Sequence, residues 1–185
     1  MDVRFELLGL PEEGPTLSLD HERFAYAGKF VVSTTGKAVA RERRTSGTEG
    51  EVVAATAFSA DHAEPGRTRI RYVTVRDDRR GEGIGPRLLR FTAEGLTARG
   101  EDVAIAVNNP AAYRACYRAG FVSTGHETGI AELRLRYAPG EARPDRYRAG
   151  FRIFEDRTLP DAQRAVIDRH REGEPPPIVP VPSGL

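Results

Sequence analysis

The segment Arg79-Arg80-Gly81-Glu82-Gly83-Ile84-Gly85 constrains this chain more than any other. A β-branched run ends just before it at Val75. After it, Ile84, Leu88, Leu89, Thr92 and Leu96 recur at helical spacing, with Pro86 in the first turn and Gly100 at the stop. Strand, glycine-rich turn, helix is an order that aims backbone N–H groups at an anion. The first turn of a helix leaves its amides unpaired and carries partial positive charge. Glycines let a ligand come close to the backbone, and an arginine at the loop entrance adds charge-assisted bonds. A pyrophosphate fits that chemistry. Two common templates fail on spacing. A Walker A loop needs G-x-x-x-x-G-K-[ST], yet Pro86 stands five residues past Gly81 and no lysine follows. A dinucleotide fingerprint begun at Gly81 or Gly83 puts Pro86 or Leu88 where its third glycine belongs.

The rest of the chain reads as α/β (α+β). Strands are expected at residues 3–9, 24–33, 37–41, 52–59 and 69–75, the second and third forming a hairpin through Thr34-Thr35-Gly36. Residues 10–21 carry Pro11, Gly14 and Pro15 and read as a loop, as do residues 42–50. The apolar run Val103-Ala104-Ile105-Ala106-Val107 reads as a buried strand. Asn109-Pro110 starts a short helix, a capping side chain followed by proline at the first helical position, and that helix stops at Gly120. Residues 121–123 and 131–137 read as the last strands. Residues 144–172 hold two helices, the second from about Asp161, and the proline-dense stretch from Glu174 is extended. Such a tail is disordered, or lies along its own domain or a partner. The expected division is residues 1–138, a helical appendage at 139–172 and a tail at 173–185.

Charge gives no support to general nucleic-acid binding, because 28 basic and 27 acidic residues leave a net +1, and no nucleic-acid partner is expected. No apolar run approaches the roughly 20 residues of a membrane helix, and the N-terminus lacks a secretory pattern. A lone cysteine, Cys116, forms no internal disulfide, and the expected location is cytoplasmic. His21, His62, His126 and His170 are not at metal-ligand spacing, so no metal is expected.

The spacing Arg80-x-x-Gly83-x-Gly85 resembles the acetyl-CoA motif of the GNAT superfamily of N-acetyltransferases, [QR]-x-x-G-x-[GA]. Tyr72-Val73-Thr74-Val75 looks like that family's fourth strand. Asn109, Ala112, Gly120 and Phe121 sit at the spacing of its N-x-x-A…GF segment. The resemblance covers residues 50–137 well, rests on strand order before them and lapses after 140. It implies a mixed, mostly antiparallel sheet of six to seven strands with splayed fourth and fifth strands, flanking helices and a reduced N-terminal helical region. It implies an acyltransferase that moves an acetyl group from acetyl-CoA to a primary amine by direct attack. Backbone groups of Arg80, Gly81, Glu82, Gly83, Ile84, Gly85 and Pro86 would hold the pyrophosphate. The strand at Val73, Thr74 and Val75 would pair with the pantetheine, with an N–H near Val75 polarising the thioester carbonyl. Asn109, Ala112 and Tyr113 would line the far side.

The sequence departs from the family at the proton-transfer groups. Cys116 occupies the position where the family often places a tyrosine acid. Tyr113 and Tyr117 flank it, four apart and on one helix face, as candidate acids; the alternatives are that no side chain serves and that both tyrosines are packing residues. No glutamate lies on the fourth strand. Asp77 and Asp78 are close but suited to pairing with arginines, and Glu127 and Glu132 flank the last hairpin turn. Residues 10–23 are too short and proline-rich for the helices that commonly hold the acceptor. The loops 42–50 and 61–67 and the appendage with Phe151, Ile153 and Phe154 are the candidates for that wall; the same apolar residues suit a homodimer contact. The resemblance implies a small-molecule or peptide amine as acceptor, whose identity the sequence does not give. The alternatives are a non-catalytic acetyl-CoA sensor and an interaction subunit whose tail docks on a partner.

Overall fold

The computed structural model describes residues 3–43, 50–129 and 131–182. Among them are seven strands and four α-helices, a mixed α/β fold. The chain divides into two compact units, one running to Val103 and taking in the chain from Pro180, the other spanning Ala104–Val179.

In the first unit, β1 (Val3–Gly9), β2 (Gly36–Glu42), β3 (Val52–Ala60) and β4 (Arg67–Val75) form an antiparallel meander. Alternation along the strands sorts its side chains into two apolar clusters. Val3, Phe5, Ala38, Ala40 and Val53 pack with Ile84, Leu88 and Phe91 of α1 (Ile84–Thr97). The Phe5 and Phe91 rings stack at 5.7 Å. Burying each of these larger side chains contributes about 1.5–3 kcal/mol. In the other cluster, Val39, Ala55 and Ala57 meet Phe30, Leu17, Leu19 and Tyr72.

The segment before β2 differs from expectation. Residues 24–33 form no strand; they are turns and a single 3-10 turn at Ala27–Lys29, so the hairpin through residues 34–36 does not exist. Phe24, Ala27 and Phe30 are buried at intervals of three while Tyr26, Val31 and Val32 are exposed, a spacing that suits turns lying on a sheet. Lys37 fastens this segment. Its side chain is fully buried, and Nζ donates to the carbonyls of Pro15 (2.6 Å), Val32 (2.6 Å) and Thr35 (2.9 Å) and to Thr35 Oγ1 (3.0 Å). Three carbonyls of an irregular segment thereby gain the partner that strand pairing does not supply. The remaining strands and α1 fall where the sequence places them. Of the loop 42–50, residues 44–49 lie outside the described residues.

In the second unit, β5 (Asp102–Val107) pairs through Ala104–Val107 with β7 (Leu133–Tyr137), which pairs with β6 (Phe121–Glu127). The helices are α2 (Pro110–Arg118), α3 (Pro144–Glu155) and α4 (Asp161–His170). Their shared core is aromatic. Tyr113 stacks on Tyr147 at 5.5 Å and meets Phe151 edge-on at 5.0 Å, and Tyr117 lies 4.2 Å from Tyr147. Phe151 and Phe154 are fully buried there, whereas Ile153 is only half-buried. In the proline-dense tail, Val179 is buried, and its N–H donates to the Arg118 carbonyl at 2.8 Å. Residues 183–185 lie outside the described residues.

Candidate functional site

β4 ends at Val75, and the chain makes a 3-10 turn at Asp77–Arg79 before the glycine loop. Gly81 has φ +84°, and Gly83 caps α1 at φ +77°, ψ +14°. A Cβ in that left-handed conformation costs about 1–2 kcal/mol, so Gly83 is what lets the helix begin here. No side chain caps α1. Among the described residues, no protein acceptor is found for the amides of Gly81, Glu82, Gly83, Ile84 and Gly85. Pro86 has no amide and is buried under the first turn. The loop thus presents a run of donors without a protein acceptor at the positive end of a 14-residue helix, a geometry suited to an anion.

The arginines around the loop already hold carboxylates. Arg80 pairs with Asp77 (2.5 Å) and donates from Nε to the Val75 carbonyl (3.4 Å); its side chain is half exposed. Arg79 binds Glu82 (3.0 Å) and Glu42. Arg76 is nearly inaccessible, with Nε 2.6 Å from Asp78 and its terminal nitrogens near Glu42 (3.1 Å) and Glu51 (2.9 Å). Burial opposes its charge, but the Asp78 hydrogen bond and the three carboxylates outweigh burial and raise its pKa. The same hydrogen bond holds Asp78 below the ordinary carboxylate value. Both Asp77 and Asp78 are therefore arginine partners. On β4, Thr74 is buried while Val73 and Val75 are half-buried. The sequence reading does not single out Arg76; its partners Glu42 and Glu51 lie far away along the chain, and only Asp78 gives a local signal.

In the second unit, Asn109 is extended and its Oδ1 accepts from the Ala112 N–H at 2.8 Å, with Pro110 at the first helical position. Tyr113 is fully buried. Its hydroxyl donates to the Tyr147 carbonyl at 2.9 Å, and burial pushes its pKa up. That hydroxyl is engaged in packing α2 against α3. Cys116 is buried, its thiol pushed up to about 12 by desolvation, and is an apolar filler. Tyr117 is also buried, and desolvation raises its pKa. Glu132 is tied into the β6–β7 turn through Thr128, while Glu127 is exposed. Arg157, absent from the sequence reading, donates to the carbonyls of Asn108 (3.2 Å) and Ala131 and bridges the start of α2 to that turn. Among the described residues, no cluster of three metal-ligating side chains occurs, and no helix is long and apolar enough to cross a membrane.

The α/β fold thus carries an amide-lined glycine turn between β4 and α1 and a capped short helix after β5. The family model for the acetyltransferase (GNAT) family matches residues 15–121, more than half of the chain, and the chain belongs to that family. No curated protein sequence matches it significantly. Three solved structures are similar in fold. A Bacillus subtilis acetyltransferase in complex with CoA has a TM-score of 0.53 at 14% identity, over 74% of this chain and 99% of that one. AtaTR bound with AcCoA has a TM-score of 0.51 at 13% identity, over 75% and 94%. An IAA acetyltransferase from Bacillus cereus has a TM-score of 0.50 at 16% identity, over 73% and 98%.

Proposed function

We propose that this acetyltransferase takes its acetyl group from acetyl-CoA and passes it to a primary amine of a small molecule or peptide. The observation that carries the cofactor reading is the run of unpartnered amides from Gly81 to Gly85, opening α1 directly after β4. A pyrophosphate supplies the acceptors those donors lack. Structures of similar fold with CoA or acetyl-CoA bound support the same ligand.

On this reading Val73, Thr74 and Val75 supply backbone groups to the pantetheine, and Asn109, Ala112 and Tyr113 act through the backbone or packing of α2. The amine nitrogen attacks the thioester carbonyl, whose oxygen takes up charge beside a β4 amide. The C–S bond breaks, the nitrogen loses a proton, and the thiolate gains one. Tyr117 is the proton donor we assign. It is a phenol, protonated at neutral pH, whose pKa burial raises further, whereas the Tyr113 hydroxyl is engaged by the Tyr147 carbonyl and the Cys116 thiol is buried.

Calorimetry with acetyl-CoA and desulfo-CoA, followed by thiol-release assays against amines, polyamines, amino acids, aminoglycosides and peptides, tests the proposal. Turnover on a member of the panel supports it. Acetyl-CoA binding with no turnover on any amine favours the sensor reading, and absent binding refutes the loop assignment.

A further inference from the structure

We propose that Arg76 is a positioning residue that couples the irregular segment before β2 to the glycine loop. The inference rests on the reading of residues 80–85 as the pyrophosphate cradle. Arg76 is the first residue past β4, and its side chain is only 5% exposed. One guanidinium hydrogen-bonds Asp78 and Glu42 and pairs by charge with Glu51, which lies 2.9 Å from Nη1 without a hydrogen bond.

Each of those carboxylates leads elsewhere. Glu51 also binds Arg23 at 2.6 Å. The Arg23 carbonyl accepts from the Asp77 N–H at 3.0 Å, so the same residue is joined to the start of the loop twice, by side chain and by backbone. Glu42 passes the contact to Arg79, which holds Glu82 inside the glycine loop. The chain of pairs runs Arg23, Glu51, Arg76, Glu42, Arg79, Glu82. It connects the segment containing Tyr26 and Lys29 to the residues that face the anion.

Exposed pairs of this kind contribute little alone. Arg76 is different because it is buried and shared. Removing it leaves three carboxylates close together with no common cation, which both loosens the loop and repels an incoming phosphate. Lysine cannot replace it, because one ammonium lacks the planar fork that reaches several carboxylates at once. Glu51→Gln makes the narrower cut: Arg76 keeps Asp78 and Glu42, and only the link to Arg23 is weakened.

Hydrogen–deuterium exchange on the full chain, with and without coenzyme A, separates the possibilities. In the free protein, Arg76→Gln is expected to speed exchange in residues 20–30 as well as 77–85, and Glu51→Gln in residues 20–30. In the wild type, coenzyme A should protect both stretches; in Glu51→Gln it should protect only the loop. Calorimetry should show affinity down about ten-fold for Arg76→Gln, a change of about 1.4 kcal/mol, with Arg76→Lys recovering less than half. The coupling is overturned if residues 20–30 exchange alike in the wild type and both variants, or if Arg76→Gln lowers the melting temperature while coenzyme A affinity holds. If the wild type binds no coenzyme A, the cradle reading falls, and the ligand-free exchange still decides the coupling.

Discussion

Gly150 lies inside α3, where helix propensity alone says that alanine is better by about 1 kcal/mol. The structure says the opposite. A Cβ at Gly150 would stand 2.2 Å from the Tyr113 hydroxyl and 2.4 Å from Cζ, far inside contact distance. Tyr113 cannot retreat easily. It is fully buried, stacked on Tyr147 at 5.5 Å and edge-on to Phe151 at 5.0 Å, and its hydroxyl reaches the Tyr147 carbonyl only because residue 150 has no side chain. Overpacking costs about 1–3 kcal/mol, and displacing a buried hydroxyl from its acceptor about 1 kcal/mol or more. Against the propensity gain, Gly150→Ala should lose about 2 kcal/mol net. At about 2–4 °C per kcal/mol for a chain of this size, the melting temperature should fall by about 4–8 °C. Thermal and urea unfolding measure it. The companion measurement is Tyr113→Leu, in whose background the same Gly150→Ala change should become neutral or stabilising. A Gly150→Ala variant as stable as the wild type, or a loss that persists once Tyr113→Leu has removed the hydroxyl, would refute the close-approach argument.

Three other outcomes are expected. Gly83→Trp fills the amide-lined turn and should abolish the calorimetric signal for acetyl-CoA; unchanged affinity would move the cofactor elsewhere. Tyr117→Phe should lower kcat by roughly 100-fold at constant acetyl-CoA affinity. Because burial raises the Tyr117 pKa above its ordinary 10, the wild-type alkaline limb assigned to this acid should lie above pH 10 and vanish in the variant. His170 is buried on Tyr147 and Phe151, and desolvation, with Arg114 and Arg169 nearby, lowers its pKa below 6.5. The unfolded chain then binds the proton more readily, so its contribution is full above pH 6.5 and is lost as pH falls through the folded value. Urea unfolding at about pH 7.5 and about pH 5 should show that loss, and His170→Gln should flatten it.

Features legible in the sequence are those written locally. Alternation marks β1, an apolar run marks β5, helical spacing marks α1, and Asn109-Pro110 marks the start of α2, because each signal is complete within a few residues. The glycine loop is legible for the same reason. Residues 24–33 mislead because their apolar content matches a strand, while the burial of Phe24, Ala27 and Phe30 at every third position is a tertiary outcome. The Glu42 and Glu51 links of the Arg76 network and the Tyr113–Gly150 contact join residues about 25 to 37 positions apart, and only the pairs with Asp78 and Glu82 are local. The proton donor falls between these cases: the helix face carrying Tyr113 and Tyr117 is visible in the sequence, but both are buried and only the bond to the Tyr147 carbonyl separates the two.

The sequestered Lys37 has a practical consequence. The chain has two lysines, and the other, Lys29, is exposed. Any reagent that modifies side-chain amines, including acetyl groups transferred by the protein to itself, therefore meets one lysine in the native state and two once residues 15–37 come apart. Counting modified lysines by mass spectrometry across a denaturant series turns Lys37 into an internal reporter of that segment's opening, with Lys29 as its built-in standard.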